Sequence, residues 1–131
     1  MSYIYLASPY SHPEANVRRD RFLSVEDLTV WLLRKRIWVY SPIVYCHAMA
    51  ERHSLPTNIA FWLDYNTAMI SSSAQFWIFA IDGWQESSGI SKEIDVAASY
   101  GLIPKFIVPN PGNIGYVYDQ LPNFDIEGSR Q

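Results

Sequence analysis

The chain opens on a run of strand formers, Tyr3-Ile4-Tyr5-Leu6-Ala7, broken at once by Ser8-Pro9-Tyr10-Ser11-His12-Pro13. A helix is predicted from about Pro13, because proline suits a first helical position and Glu14 favours a positive helix end. From Phe22 the apolar positions Phe22, Val25, Leu28 (or Thr29) and Leu32 keep helical spacing. Arg34, Lys35 and Arg36 then crowd the C-terminal turn, where cations are favoured. Ile37-Trp38-Val39-Tyr40 reads as a second strand stopped by Ser41-Pro42. Residues 43–56 are ambiguous, with a helical turn or two over 48–52. Thr57 is the expected N-cap of a helix carrying Ala60, Leu63 and Ile70, and Ser71-Ser72-Ser73 ends it. Phe76-Trp77-Ile78-Phe79-Ala80-Ile81 is apolar throughout, the mark of a central strand buried on both faces. The polar, glycine-bearing loop 82–89 leads into a helix over 90–100 closed by Gly101, and 103–108 forms a fourth strand with Pro104 near its start. From Pro109 onward Pro, Gly and Asn dominate, and 109–131 is expected to be an irregular C-terminal segment suited to an interface.

Strand, helix, strand, helix, strand, helix, strand is the alternation of an α/β domain with a mainly parallel sheet, here of four to five strands. Right-handed crossovers bring the C-terminal strand ends to one edge, so the loops 8–12, 41–47 and 82–89 should surround one cleft. At 131 residues the chain makes a single domain, 1–131, burying roughly two thirds of its unfolded surface without disulfides or structural metal. A hydrophobic fraction of 49% with 18% charged residues argues against disorder. Five Trp, nine Tyr and six Phe point to a packed sheet, a ring-lined pocket or a subunit interface. The net charge of −3 leaves no footprint for a nucleic-acid backbone. Cys46 stands alone, which excludes an internal disulfide framework and multi-cysteine zinc motifs. The start lacks a signal-type apolar run, and nothing reaches the roughly 18 apolar residues of a membrane span. The expectation is a cytoplasmic protein with no membrane partner.

Three features carry candidate chemistry. The turn Ser87-Ser88-Gly89-Ile90-Ser91-Lys92-Glu93 sets small hydroxyl residues and a glycine before a helix, where free N–H groups suit an anion or phosphate. Glu93 is placed in the first turn, where the helix dipole favours the carboxylate, and a carboxylate held in a cleft can act as a nucleophile. The plainer alternative makes Ser88 an N-cap and Glu93 a surface residue. Asp64 lies among Phe61-Trp62-Leu63 and Tyr65-Asn66, either paired with a polar partner or simply exposed beside Leu63. Tyr5 is either a core strand tyrosine or part of the site. Cys46 and His47 are adjacent and diverge in regular structure; with His53 they match no zinc spacing, and His47 is instead a candidate contact to a substrate phosphate or base. No G-x-G-x-x-G follows the first strand and no Walker A sequence is present, which disfavours Rossmann dinucleotide and P-loop chemistry.

Taken in order, Tyr3-Ile4-Tyr5-Leu6-Ala7-Ser8-Pro9, Ser41-Pro42, Asp64 before an apolar strand, and Asp82-Gly83 through Ser87-Ser88-Gly89 to Glu93-Ile94 resemble the nucleoside 2-deoxyribosyltransferase-like superfamily, in particular a small bacterial branch of it. The similarity spans roughly residues 3–108. It implies a flavodoxin-like three-layer fold and cleavage of the N-glycosidic bond of a nucleoside or nucleoside 5′-monophosphate, by hydrolysis or by transfer. The implied catalytic set is Glu93 as nucleophile, Tyr5 orienting it, and Asp64 binding a substrate hydroxyl or passing a proton to the base. Ser87 and Gly89 fall where nucleotide-preferring members hold the 5′-phosphate; Ser8, Ser11, His47 and Ser88 complete the expected substrate-binding set. Glu86-Ser87-Ser88 stands where some transferases carry an acid, which tilts the expectation toward a 5′-monophosphate. No metal and no organic cofactor are required, and the expected partner besides the small-molecule substrate is a second copy of the chain. Family members commonly complete the site from a partner's C-terminal segment, for which Asn110, Asn113 and Asn123 are candidates. A non-catalytic nucleotide-binding module, or a structural protein of the same fold, is the alternative.

Overall fold

The computed structural model describes residues 2–56, 59–111 and 115–118. The elements run β1 (Ile4–Ala7), α1 (Ala15–Arg34), β2 (Val39–Tyr40), α2 (Pro42–His53), α3 (Ile59–Ser71), β3 (Gln75–Phe79), α4 (Ser88–Ser99), β4 (Lys105–Pro109) and β5 (Tyr116–Tyr118). The sheet order is β2-β1-β3-β4-β5. The first four strands are parallel and β5 returns antiparallel on β4. This is the flavodoxin-like arrangement of a doubly wound sheet, a three-layer α/β fold with β1 and β3 meeting where the strand order reverses.

The register decides which side chains meet. Tyr5 pairs with Phe76 and Leu6 with Trp77, so successive β1 residues serve opposite faces of the sheet. Leu6, Trp77, Phe79 and Ile107 pack against Val25, Leu28 and Leu32 of α1, with Ile43 and Val44 of α2 at the margin. Tyr5, Ala7, Phe76, Ile78 and Phe106 face Ile70 of α3 with Ile90 and Ala97 of α4. The buried stripe of α1, Val25, Leu28, Thr29 and Leu32, is the one its spacing predicts, while Phe22 is only half-buried.

Two segments depart from expectation. Where residues 43–56 read as ambiguous, α2 spans twelve residues: Ser41 Oγ accepts from Val44 N at 3.1 Å, and Pro42 occupies the first helical position. A helix is stable there because Cys46 and Ala50 are buried against the rest of the fold, a tertiary gain that weak local periodicity does not display. Where no element was expected after Pro109, β5 pairs Tyr116, Val117 and Tyr118 with Pro109, Val108 and Ile107. The edge of β4 supplies the ladder, and Asn110 N donates to Gly115 O at 2.9 Å to close the turn. Thr57, Asn113 and Asn123 lie outside the described residues. No helix among the described residues is long and apolar enough to cross a membrane.

Candidate active site

The cleft opens at the C-terminal edge of the sheet, beside the β1–β3 switch point, and encloses about 630 Å³ counting the open solvent at its mouth. The loop after β1 supplies Ser8, Tyr10 and Ser11; α2 supplies Pro42, Ile43, Cys46, His47 and Ala50. Trp62 and Asn66 come from α3, and Ser87, Gly89 and Glu93 from the start of α4. No lysine or arginine is among these lining residues.

Glu93 is the centre. In α4 it shares the buried stripe with Ile90 and Ala97, which turns its carboxyl inward, and the residue is only 5% exposed. The Tyr5 hydroxyl donates to Glu93 Oε2 at 2.5 Å, and Asn66 Nδ2 donates to the same oxygen at 3.4 Å. Tyr5 lies behind the carboxylate, stacked on Phe76 with ring centroids 5.7 Å apart. Burial pushes the Glu93 pKa from its ordinary 4.5 up to about 7, with the Tyr5 hydrogen bond pulling it partly back. Burial, then the charge of Glu93, raises Tyr5 well above 10, so its proton stays in place to be donated. Glu93 is therefore not held ionised by the helix dipole, contrary to its expected first-turn position. Ser87, not a later residue, caps the helix by accepting from Ile90 N at 3.1 Å. That start places Glu93 in the second turn, past the reach of the dipole, where desolvation dominates.

The α4 terminus lies at the other side of the carboxylate. Capping by Ser87 leaves the N–H groups of Ser88 and Gly89 without intrahelical acceptors, and Ser8 Oγ is buried nearby in the cleft wall with no protein partner. Arg21 braces this end from outside: its Nη1 donates to Ser11 O at 2.9 Å while the guanidinium lies over Gly83. Gly83 adopts φ +91°, a conformation that disfavours any side chain there.

Of the residues expected from the sequence, Ser8, Ser11, His47, Ser87, Gly89 and Glu93 meet in the cleft, with Tyr5 directly behind. Ser88 begins α4 and is exposed. Asp64 is also exposed and is not among the lining residues; Asn66, two positions later, takes the place beside Glu93. The helical stripe explains why: counting back four from the buried Ile70 reaches Asn66, whereas Asp64 falls on the solvent side. Asn66 is 5% exposed and its Oδ1 is buried without a partner. Tyr10 was the other residue missed, and its hydroxyl meets His47 Nδ1 at 2.6 Å. Cys46 is a buried free thiol whose pKa is raised by burial. No group of three or more His, Cys, Asp or Glu among the described residues is placed to hold a metal ion.

Fold and cleft define a Rossmann-like α/β domain with one buried carboxyl at its switch point. The chain belongs to the family described as a domain of unknown function (DUF1937), whose model matches residues 2–105. No curated protein matches it. The family carries no assigned activity.

Proposed function

We propose that the protein cleaves the N-glycosidic bond of a nucleoside 5′-monophosphate, with Glu93 as the nucleophile. The observation that carries this reading is the buried Tyr5–Glu93 hydrogen bond at the floor of a cleft that also exposes the start of α4. Tyr5 and Asn66 both hold Oε2, which leaves Oε1 as the freer oxygen to approach an anomeric carbon. The ionised carboxylate attacks C1′ and the base departs with the electron pair of the C1′–N bond, passing through an oxocarbenium-like transition state. Water then adds to C1′, the C1′–O bond to Glu93 breaks with its electrons returning to the carboxylate, and the water's proton passes to solvent. A second base in place of water makes the same enzyme a transferase. Tyr5 is a positioning residue: it fixes Oε2 and favours the ionised form.

The phosphate end is supported by the α4 N–H groups, the helix dipole and the hydroxyls of Ser8, Ser11 and Ser87 rather than by cations. A non-catalytic nucleotide-binding module is the second reading, favoured by the position of Asp64, which leaves Glu93 as the one carboxylate among the lining residues.

The test is release of free base from ribo- and deoxyribonucleoside 5′-monophosphates, followed by chromatography, with and without added acceptor bases. Base released by the wild type and lost in Glu93→Ala is the expected result. Nucleotide binding without release from any member of the panel overturns the catalytic reading in favour of the binding module.

A further inference from the structure

We propose that His47 is the residue that reads the leaving nucleobase, donating its Nε2–H to an acceptor on the base edge. The inference rests on the nucleotide reading of the cleft and adds to it the group that faces the base.

Departure of the base places negative charge on its ring, which a hydrogen-bond donor stabilises. The Glu93 cluster offers no second acid for this, because Asn66 stands there and Asp64 is exposed. Among the other lining residues, Trp62 spends its indole N–H on Pro56 O at 2.8 Å. The Cys46 thiol is a weak donor. With the hydroxyls of Ser8, Ser11 and Ser87 assigned to the phosphate end, Tyr10 and His47 remain, and they act as one unit. The Tyr10 hydroxyl lies 2.6 Å from His47 Nδ1, and in the proposed arrangement it donates its proton to that nitrogen. With Nδ1 accepting, the neutral ring carries its proton on Nε2.

The ring's orientation is fixed as well. Phe22 stacks on it at 4.3 Å with 14° between planes, and the Tyr10 ring meets it edge-on at 5.5 Å. Burial holds the imidazole pKa below 6.5; Glu51 on its own helix and Glu26 of α1 oppose that, while Arg18 and Arg19 of α1 reinforce it. A neutral donor suits an uncharged base edge better than a phosphate. Its neighbours on α2, Pro42, Ile43 and Ala50, form an apolar wall that a planar base can cover. The phosphate end lies instead at Ser87 and Gly89.

Calorimetric titration separates these roles. Adenosine 5′-monophosphate, uridine 5′-monophosphate and ribose 5-phosphate are titrated into Glu93→Gln, alone and combined with His47→Leu, His47→Gln or Tyr10→Phe. Ribose 5-phosphate carries the phosphate and sugar but no base. The expected result is about tenfold weaker binding of the preferred nucleotide in His47→Leu with ribose 5-phosphate unchanged. His47→Gln, which keeps an N–H donor, should recover part of the loss, and Tyr10→Phe should show a smaller loss confined to the nucleotides. Unchanged ribose 5-phosphate affinity also reports that the variant is folded. An equal loss for both ligand types, or no loss for either nucleotide, overturns the assignment. Failure of the catalytic reading shows separately, as wild-type protein that binds nucleotide but releases no base. Absence of nucleotide binding by both Glu93→Gln and the wild type overturns both.

Discussion

The two faces of the sheet are built to different ends. On the α1 face, Leu6, Val25, Leu28, Leu32, Trp77, Phe79 and Ile107 form an apolar layer; its buried polar side chain, Thr29, returns its hydroxyl to Val25 O at 2.7 Å. On the α3–α4 face, Tyr5, Asn66 and Glu93 interrupt an otherwise apolar cluster, and Asn66 Oδ1 lacks a partner. Burial of a carboxyl that titrates near 7 works against stability at neutral pH. One face therefore holds the fold together, and the other gives up stability to keep a carboxyl out of water.

The sharpest test of that contrast is Leu28→Ala. Leu28 is fully buried, so the truncation should cost about 3 kcal/mol in denaturant unfolding while leaving turnover per folded molecule unchanged. A large drop in turnover of the folded fraction would show that the two faces are not separable.

Glu93→Gln should do the opposite, abolishing base release while stabilising the protein at alkaline pH. In the folded state Glu93 titrates near 7 against an ordinary 4.5. Its contribution to stability is fully present below about pH 4.5 and is lost as pH rises through about 7. Relative to wild type, the variant should therefore gain little at pH 4.5 and up to about 3 kcal/mol at pH 8, read from urea unfolding at the two pH values. A pH-independent difference would mean that Glu93 is not held protonated by burial.

Tyr5→Phe comes next. Its hydroxyl lowers the Glu93 pKa, so removing it should move the acid limb of the pH–rate profile upward and reduce activity about tenfold at pH 7. An unshifted acid limb would show that the hydrogen bond does not tune the carboxyl. Asp64→Asn is the smallest: the side chain is exposed and outside the cleft, so activity should stay within about twofold of wild type. A large loss in initial rate would return Asp64 to the site.

Residue by residue, the legible part of the site followed helical and strand phase. Glu93 was legible from the turn before it, and the structure adds that it shares a buried stripe with Ile90 and Ala97, which turns its carboxyl inward. The small-residue turn that opens α4 was readable from Ser87 and Gly89, although the cap falls on Ser87 and Ser88 is exposed. Asp64 lies on the solvent side because the phase set by Ile70 puts Asn66 on the buried stripe, and a local reading of residue types does not carry that phase. Tyr10 gave no signal: its role depends on α2 bringing His47 beside the loop after β1, a contact between residues 37 positions apart.

The α/β alternation, the central apolar strand and the buried stripe of α1 were fixed by the chain's own pattern of residues. All are local periodicities, readable because side chains repeat every two or about three and a half residues. The tertiary structure decided what no period encodes. Strand order placed β1 beside β3, register turned Tyr5 toward α4, and desolvation rather than the helix dipole set the ionisation of Glu93. Burial and pairing across 88 positions of chain are properties of the assembled layers, which is why the chemistry of the carboxyl became visible only in the fold.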